Sequence, residues 1–498
     1  MSESGETEAR AGAKLSDVTL DAAHCYEVLK ARDARFDGVF FVGVSTTGVY
    51  CRPVCRVRTA GRDRCSYFAN AASAEAAGFR PCLRCRPELA PGAAPVDAGQ
   101  RVANAAVARI DAGALSGDGS VQALATELGI SSRQLHRVVE AEYGVSPLAL
   151  AQTRRLLLAK QLLTDTSLRV IDVAFASGFA SVRQFNRLFK ESYRLNPLAL
   201  RKHSVVKREE HILLKLGFRA PLAWQALIRF LAGRAGARTE KVNGDSYLRT
   251  VRIGKYRGFI VAEPLAPDLL GVRVSPALLP VLPDLRMRLR RLFDLEANPT
   301  VIDALLRRHP ELRAHLKRTT GLRVPGAIHG FELALRAVLG QQVTVKAATT
   351  IFGRFVETFG GKLETSDPDV DRIAPEAADV ANATLQQLID RGLTRKRAES
   401  VQALSRATAD GTVKLDPPVD LAAMRGALQE LPGIGPWTAE YVAMRALGDP
   451  DAFPHSDLGL LAALKLEKPA ALLARAEAWR PYRAYAALHL WHGYSQGG

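Results

Sequence analysis

Helical periodicity sets in near residue 100, and the pattern carries a repeat. Arg133-Gln134-Leu135-His136-Arg137 returns as Arg183-Gln184-Phe185-Asn186-Arg187, and Tyr143, Pro147, Leu148, Ala149 and Leu150 return as Tyr193, Pro197, Leu198, Ala199 and Leu200, fifty residues on each time. In each copy a short apolar helix (Val121 to Leu128; Val170 to Ala176) meets a tight turn at Gly129 or at Gly178-Phe179. A second helix then opens on Ser131 or Ser181, residues suited to N-capping. This is the plan of a helix-turn-helix, used twice and joined by a long helix over Leu150 to Leu163. Second helices of this kind are sized for the major groove and touch bases from their first turn. Arg133, Gln134, Arg183, Gln184 and Asn186 are therefore candidate base readers, although for each one singly a phosphate contact or a solvated position is as good a reading.

Elsewhere the pattern changes. Met1 to Leu15 is expected to be a disordered tail, Asp17 to Leu29 predicts a helix, and Phe40-Phe41-Val42-Gly43-Val44 has the apolar run of a buried strand. Ala90-Pro91-Gly92-Ala93-Ala94-Pro95 predicts a linker. Trp224 to Ala235 predicts an apolar helix, and Lys241-Val242, Tyr247 to Ile253, Tyr256 to Val261 and Leu269 to Val274 predict strands separated by Gly, Asn, Asp and Pro turns. Helices dominate from Pro283 onward. At 498 residues the chain exceeds one core, and the expected divisions are 1–15 tail, 16–89 cysteine-bearing domain, 90–99 linker, 100–204 tandem helix-turn-helix, 205–298 α+β lobe and 299–498 all-α domain.

Charge narrows the partner. There are 68 Lys and Arg against 51 Asp and Glu, a net +17, which points to double-stranded DNA rather than to a membrane surface, since no amphipathic lipid-binding stretch accompanies it. Met1 to Arg10 has no apolar core, and no apolar run reaches about 18 residues, so a cytoplasmic location without a membrane partner is expected. Six cysteines fit a reducing compartment better than a disulfide framework. Cys25 and Cys65 read as buried or incidental thiols.

The other four cysteines form a pattern. Cys51-Arg52-Pro53-Val54-Cys55 and, after 26 residues, Cys82-Leu83-Arg84-Cys85 have the ligand spacing of one tetrahedral Zn2+, which binds thiolates at about 2.3 Å. On spacing alone a structural zinc knob would satisfy this. The neighbourhood, Thr46-Thr47-Gly48-Val49-Tyr50-Cys51-Arg52-Pro53-Val54-Cys55 and Gly78-Phe79-Arg80-Pro81-Cys82-Leu83-Arg84-Cys85, resembles the amino-terminal domain of the Ada family, which repairs methyl phosphotriesters in DNA. The resemblance implies Cys51 as methyl acceptor and Thr47, Arg58 and Arg80 as phosphate contacts. A zinc-bound thiolate stays ionised and nucleophilic at neutral pH, and turning it into a thioether removes a negative charge that faces a polyanion. Gly178-Phe179, Phe185, Phe189 and Pro197 resemble the AraC-type DNA-binding domain. In the Ada family these two parts make a methylation-triggered transcription activator, which implies RNA polymerase as a partner. The family's usual third part is absent, because no cysteine follows Cys85.

A second constellation fills the carboxy-terminal half. Leu431-Pro432-Gly433-Ile434-Gly435-Pro436-Trp437 sets a glycine turn between two helices, where backbone amides can meet a phosphate, and Asp457 follows twenty residues after Trp437. This resembles the helix-hairpin-helix base-excision glycosylases. Asp245-Ser246-Tyr247, Tyr256-Arg257-Gly258, Arg291-Leu292-Phe293-Asp294-Leu295, Leu339-Gly340-Gln341-Gln342-Val343, Lys396-Arg397-Ala398-Glu399 and Leu488-His489-Leu490-Trp491 narrow the likeness to the AlkA type of 3-methyladenine glycosylase. That likeness implies a lobe resembling half of the TATA-binding protein, Asp457 as catalytic carboxylate, Trp437, Tyr441 and Trp491 as pocket aromatics, and Gln342 as the wedge that fills the vacated stack. Gly433 and Gly435 become DNA contacts, and the carbonyls of Gln429, Leu431 and Gly433 could bind a monovalent cation. For Asp457 the bland reading is a helix N-cap; for the aromatics it is core packing. Bifunctional relatives carry a lysine where Trp437 stands, so a monofunctional enzyme is expected.

The expected whole is a multidomain α+β monomer: a small four-cysteine zinc domain, an all-α tandem helix-turn-helix domain, a TATA-binding-protein-like α+β lobe and an all-α helix-hairpin-helix glycosylase domain. Two alternatives stand beside it, a DNA-binding regulator with an inactive glycosylase half and an active glycosylase with a purely structural zinc knob.

Overall fold

Asp21 caps the first helix, α1 (Ala22–Ala31), by accepting from the amides of Ala23 at 3.1 Å and His24 at 3.2 Å. The computed structural model describes residues 21–91, 101–202, 211–415 and 421–496. The expected tail, the helix residues before Asp21, the linker past Pro91 and the junction at Ser204 lie outside the described residues.

A four-stranded sheet follows α1, in the order β3-β1-β2-β4, with β1 (Phe41–Val44), β2 (Val49–Cys51), β3 (Cys65–Phe68) and β4 (Arg80–Pro81); α2 (Ala71–Ala76) connects the last two. β1 pairs antiparallel with β2 and β3, whereas β2 pairs parallel with β4. The parallel pairing decides where the cysteines go. β2 ends on Cys51, the chain leaves β4 directly into Cys82, and the Cys82 amide donates to the Tyr50 carbonyl at 3.0 Å.

The fifty-residue repeat folds as two helix-turn-helix units. After α3 (Arg101–Asp111), the first unit is α4 (Val121–Glu127) and α5 (Ser132–Tyr143); α6 (Pro147–Asp165) leads to the second, α7 (Val170–Ala176) and α8 (Val182–Tyr193), and α9 (Pro197–Lys202) closes it. Ser131 Oγ accepts from the Gln134 amide and Ser181 Oγ from the Gln184 amide, both at 3.2 Å, caps worth about 1 kcal/mol each. Gly129 and Gly178 turn with φ of +69° and +87°. The connecting helix is longer than expected because Ser146 caps it and Pro147, whose missing N–H costs nothing at a first position, starts it.

The α+β lobe is a five-stranded antiparallel sheet, order β5-β9-β8-β7-β6, with β5 (Ile212–Gly217), β6 (Glu240–Asn243), β7 (Ser246–Ile253), β8 (Tyr256–Ala266) and β9 (Leu269–Val274). α10 (Trp224–Ala232) lies between β5 and β6 in sequence and stops three residues short of the expected end. β5, absent from the sequence expectation, alternates buried Ile212, Leu214 and Leu216 with less buried Leu213 and Lys215.

The rest is helical: α11 (Leu282–Leu292), α12 (Pro299–Leu306), α13 (Pro310–Arg318), α14 (Gly330–Leu339), α15 (Val345–Phe359), a two-stranded ribbon β10 (Gly361–Lys362) and β11 (Arg372–Ile373), then α16 (Ala377–Ala381), α17 (Leu385–Ile389), α18 (Arg395–Ala409), α19 (Leu421–Gln429), α20 (Pro436–Arg445), α21 (Leu458–Ala463), α22 (Pro469–Ala476) and α23 (Arg483–Gln496). One core fills this domain, centred on α14 and including Leu335, Phe355, Leu404, Val442 and Trp479. A second core crosses the division expected near residue 204: Leu156, Phe179, Phe185 and Phe189 of the helix-turn-helix pair are buried in one cluster with Ile212, Leu214, Ile260 and Leu278 of the lobe. No helix among the described residues is long and apolar enough to cross a membrane.

Candidate functional sites

The four cysteines converge. One sulfur each from Cys51, Cys55, Cys82 and Cys85 lies within 4.8 Å of all the others, and no other group of three or more potential ligands does so among the described residues. Cys51, Cys55 and Cys82 are 6%, 4% and 6% exposed, and Cys85 is half-buried. Backbone amides point at the sulfurs: Arg52 N–H donates to Cys85 Sγ and Arg84 N–H to Cys82 Sγ, both at 3.4 Å. Four thiols this close cannot all ionise without a shared cation, and the all-sulfur donor set with amide support fits tetrahedral zinc. The knuckle is braced by Arg52, whose Nε donates to Asp37 Oδ1 at 2.8 Å and whose Nη1 donates to the Cys85 carbonyl at 3.2 Å.

The second centre is a cavity of about 290 Å³ between the lobe and the helical domain. Trp437 and Tyr441 come from α20, one turn apart, and Trp491 from α23; all three line the cavity with Asp457. The Trp437 and Tyr441 rings stack at 5.2 Å and 8°, and Tyr441 meets Trp491 edge-on at 6.3 Å. Asp457 is the hub. Its Oδ2 accepts from Trp437 Nε1 at 2.9 Å, and its Oδ1 accepts from Trp491 Nε1 at 2.8 Å and from the Leu460 amide at 3.0 Å. Asp457 is the N-cap of α21 and its carboxylate also lines the cavity. Arg445 Nη1 donates to the Tyr441 hydroxyl at 2.7 Å. Burial works to raise the Tyr441 phenol, but Arg445 and Arg234 outweigh it and hold the group below its ordinary value.

Family models match four successive stretches: the metal binding domain of Ada over 24–88, a helix-turn-helix domain over 124–203, the AlkA N-terminal domain over 213–329 and the HhH-GPD superfamily base excision DNA repair protein over 335–466. Over 490 residues, 95% of this chain and 96% of the other, the sequence is 40% identical to the Mycobacterium tuberculosis probable bifunctional transcriptional activator/DNA repair enzyme AlkA. The chain belongs to that family. It is also 34% identical over 278 residues to the Escherichia coli DNA-3-methyladenine glycosylase 2, covering 56% of this chain and 96% of that one. To the Escherichia coli bifunctional transcriptional activator/DNA repair enzyme Ada it is 39% identical over 137 residues, 26% of this chain and 35% of the other. The two halves of this activator and repair fusion, a metal-binding regulator and a DNA glycosylase, are joined in one chain that acts on DNA.

The remaining sequence candidates of this family member lie on surfaces. Thr47 is exposed in the β1–β2 turn, Arg58 is exposed beyond Cys55, and Arg80 is half-buried on β4. Arg133 and Gln134 on α5 and Arg183, Gln184 and Asn186 on α8 are all exposed. Gln342 is exposed with a φ of +56°, between Gly340 and Val343 of the cavity wall. Its neighbour Gln341 ties that loop to the hairpin, donating from Nε2 to the Gly433 carbonyl at 2.9 Å and to Thr438 Oγ1 at 3.0 Å. Gly433 has a φ of +74° and a side chain there would strike Ser400 Oγ, whereas one on Gly435 would meet nothing within 4 Å among the described residues beyond its chain neighbours, so the backbone is open at Gly435. Cys25 is buried and Cys65 half-buried, as expected of thiols outside the cluster.

Sequence reasoning missed the charged belt of the cavity. Arg336 Nη2 donates to Glu240 Oε1 at 2.6 Å and Nη1 to Glu332 Oε1 at 3.0 Å, and Arg249 Nη2 donates to Glu332 Oε2 at 2.7 Å. Burial would raise the Glu240 carboxyl, but Arg336 and Arg249 bring it down to about 2. The belt is drawn from β6, β7 and α14; only its Glu332–Arg336 pair, four residues apart on one helix, is a local pattern, and its links to Glu240 and Arg249 are not.

Proposed function

We propose that this chain senses and repairs DNA alkylation through two centres. At the first, Cys51 accepts a methyl group from a DNA methylphosphotriester: the methyl–oxygen bond breaks, a methyl–sulfur bond forms, and the phosphate leaves as a diester anion. Zinc, when bound, supplies the charge that keeps the four cysteine sulfurs ionised. Cys55, Cys82 and Cys85 hold the knuckle, and Thr47, Arg58 and Arg80 bind flanking phosphates. The transfer happens once per molecule, lowers the negative charge facing DNA, and so raises affinity for an operator read by Arg133, Gln134, Arg183, Gln184 and Asn186. The chain then acts as a transcription activator that engages RNA polymerase, as a monomer in the cytoplasm.

At the second centre the enzyme hydrolyses the glycosidic bond of alkylated purines of the 3-methyladenine type. The base is flipped out, Gln342 fills its place, and the electron-poor ring is held against Trp437, Tyr441 and Trp491, where stacking is worth about 1–3 kcal/mol. As the bond to the base breaks, Asp457 stabilises the cationic sugar. Gly433 and Gly435 present backbone to a phosphate, with a monovalent cation at the carbonyls of Gln429, Leu431 and Gly433 as the bridging charge. The single observation that supports this most is the arrangement at Asp457, where two indole N–H groups from α20 and α23 fix one carboxylate at the wall of an aromatic cavity.

The test is to incubate the purified, zinc-loaded chain with methylated DNA and follow both products. Chromatography should show free 3-methyladenine, and peptide mass mapping should show one added methyl on Cys51. No base released by a folded chain would leave the regulator reading alone, and a methyl on any other cysteine would sink the assignment of Cys51.

A further inference from the structure

The helix-turn-helix half reaches into the cysteine site. Lys160, in the middle of α6, is 1% exposed, and its Nζ donates to the Cys82 carbonyl at 3.0 Å while pairing with Glu88 Oε2 at 2.7 Å. The knuckle that carries Cys82 and Cys85 therefore has two carbonyls held by two buried cations. Arg52, paired with Asp37, holds the Cys85 carbonyl from within the domain, and Lys160, paired with Glu88, holds the Cys82 carbonyl from outside it.

The contact belongs to a wider interface. Tyr50, next to Cys51, donates to Glu75 Oε1 at 3.0 Å, and Thr153 of α6 donates to Glu75 Oε2 at 2.7 Å. Arg86, next to Cys85, makes two hydrogen bonds to Asp165 at the end of α6, 2.9 and 2.7 Å, and Asp165 in turn pairs with Lys215 of β5 at 3.0 Å. Asn70 Nδ2 and Ser73 Oγ donate to the Tyr143 carbonyl at the end of α5, at 2.8 and 2.7 Å. A side chain at Gly217 of β5 would strike the Leu89 carbonyl, so the strand packs directly on the end of the cysteine domain.

We propose that Lys160 is a positioning residue of the metal centre: α6 completes the support of the Cys82–Cys85 knuckle, and zinc retention depends on the Lys160 ammonium at the Cys82 carbonyl rather than on the interface at large. The inference rests on the zinc reading above. A buried ammonium is tolerated only when paired and hydrogen-bonded, and here both partners belong to the cysteine domain. Groups that orient a ligand from outside the coordination sphere typically change metal affinity by about 10–100-fold when removed. Linkage is reciprocal, so zinc loading must strengthen the Lys160 contact by the same factor.

The experiment uses the full chain loaded with zinc and follows metal loss to a chelating dye. Lys160→Met leaves Glu88 without its closest cation and risks misfolding, so the deciding variant is Lys160→Met with Glu88→Gln, which removes both charges together. Lys215→Met serves as the control, since it loosens the outer edge of the same interface without touching the knuckle. The double variant should hold zinc about 10–100-fold more weakly than the parent, while Lys215→Met holds it normally and both release 3-methyladenine from methylated DNA at the parent's rate. Zinc held as tightly by a folded double variant overturns the proposal, as does an equal weakening by Lys215→Met, which would mean general loosening. A parent chain that binds no zinc overturns the zinc reading as well, and is distinguished by that result alone.

Discussion

Replacing Asp457 by asparagine separates its two roles, because the geometry assigns them to different properties of the carboxylate. Capping of α21 uses Oδ1, which accepts from the Leu460 amide at 3.0 Å, and asparagine caps about as well as aspartate. Stabilising a cationic sugar needs the negative charge, which asparagine lacks. Two unit charges about 4 Å apart at an effective dielectric near 20 attract by about 4 kcal/mol, which corresponds to roughly 10³-fold in rate. The structural cost is smaller. With the amide oxygen kept toward Leu460 and Trp491, the amide nitrogen replaces Oδ2 opposite Trp437 Nε1, so one indole N–H loses its acceptor at a cost of about 1 kcal/mol. Single-turnover release of 3-methyladenine should therefore fall about 10³-fold while the thermal midpoint moves only slightly. A folded Asp457→Asn chain that releases base within a factor of ten of the parent would refute the electrostatic role and leave the residue a cap.

Three further outcomes are expected. With Trp437 in the hairpin and no lysine between Lys414 and Lys465, borohydride should trap no covalent complex on DNA; a trapped adduct would disprove the monofunctional reading. His489 is 1% exposed, neither ring nitrogen has a hydrogen-bond partner among the described residues, and burial, with His315 and His492 adding to it, lowers its pKa from 6.5 to about 3. Its folded value is depressed, so its share of stability is in place above pH 6.5 and is lost as pH falls toward 3. The melting temperature should accordingly drop between neutral and mildly acid pH, and His489→Phe should flatten that slope. Gly129 and Gly178 hold equivalent turns at positive φ, but among the described residues a side chain at Gly129 would meet nothing within 4 Å beyond its chain neighbours, whereas one at Gly178 would strike Ser116. Gly129→Ala should cost about 1–2 kcal/mol in thermal unfolding and Gly178→Ala clearly more; equal costs would show that Ser116 yields.

What was legible in the sequence was short-ranged. The serine caps, the turn glycines and the two cysteine knuckles are each encoded within a few adjacent residues, and each forms where the spacing placed it. The glycosylase centre was legible only in part. Trp437 and Tyr441 share a helix face by being four apart, but their meeting with Trp491 across Asp457 depends on how α20, α21 and α23 pack. In the belt of Arg249, Glu332, Arg336 and Glu240 only the Glu332–Arg336 pair, four residues apart on α14, had a local signal; Glu240 and Arg249 come from separate strands and look in sequence like any solvated charges.

Lys160 shows where reading the chain stops and why. In Leu156-Leu157-Leu158-Ala159-Lys160-Gln161-Leu162-Leu163 six of eight residues are apolar, so Lys160 and Gln161 look like solvated points on a core helix. The structure buries Lys160 instead, and Gln161 beside it is 2% exposed and donates to the Lys215 carbonyl at 2.6 Å. Helices apolar all round are buried all round. Polar residues within one must then find partners supplied by whatever covers it, and here the cover is the cysteine domain on one side and β5 on the other. Within the stretch 156–163 the two polar residues face the two neighbours, Lys160 the cysteine domain and Gln161 β5, and so mark where each one docks.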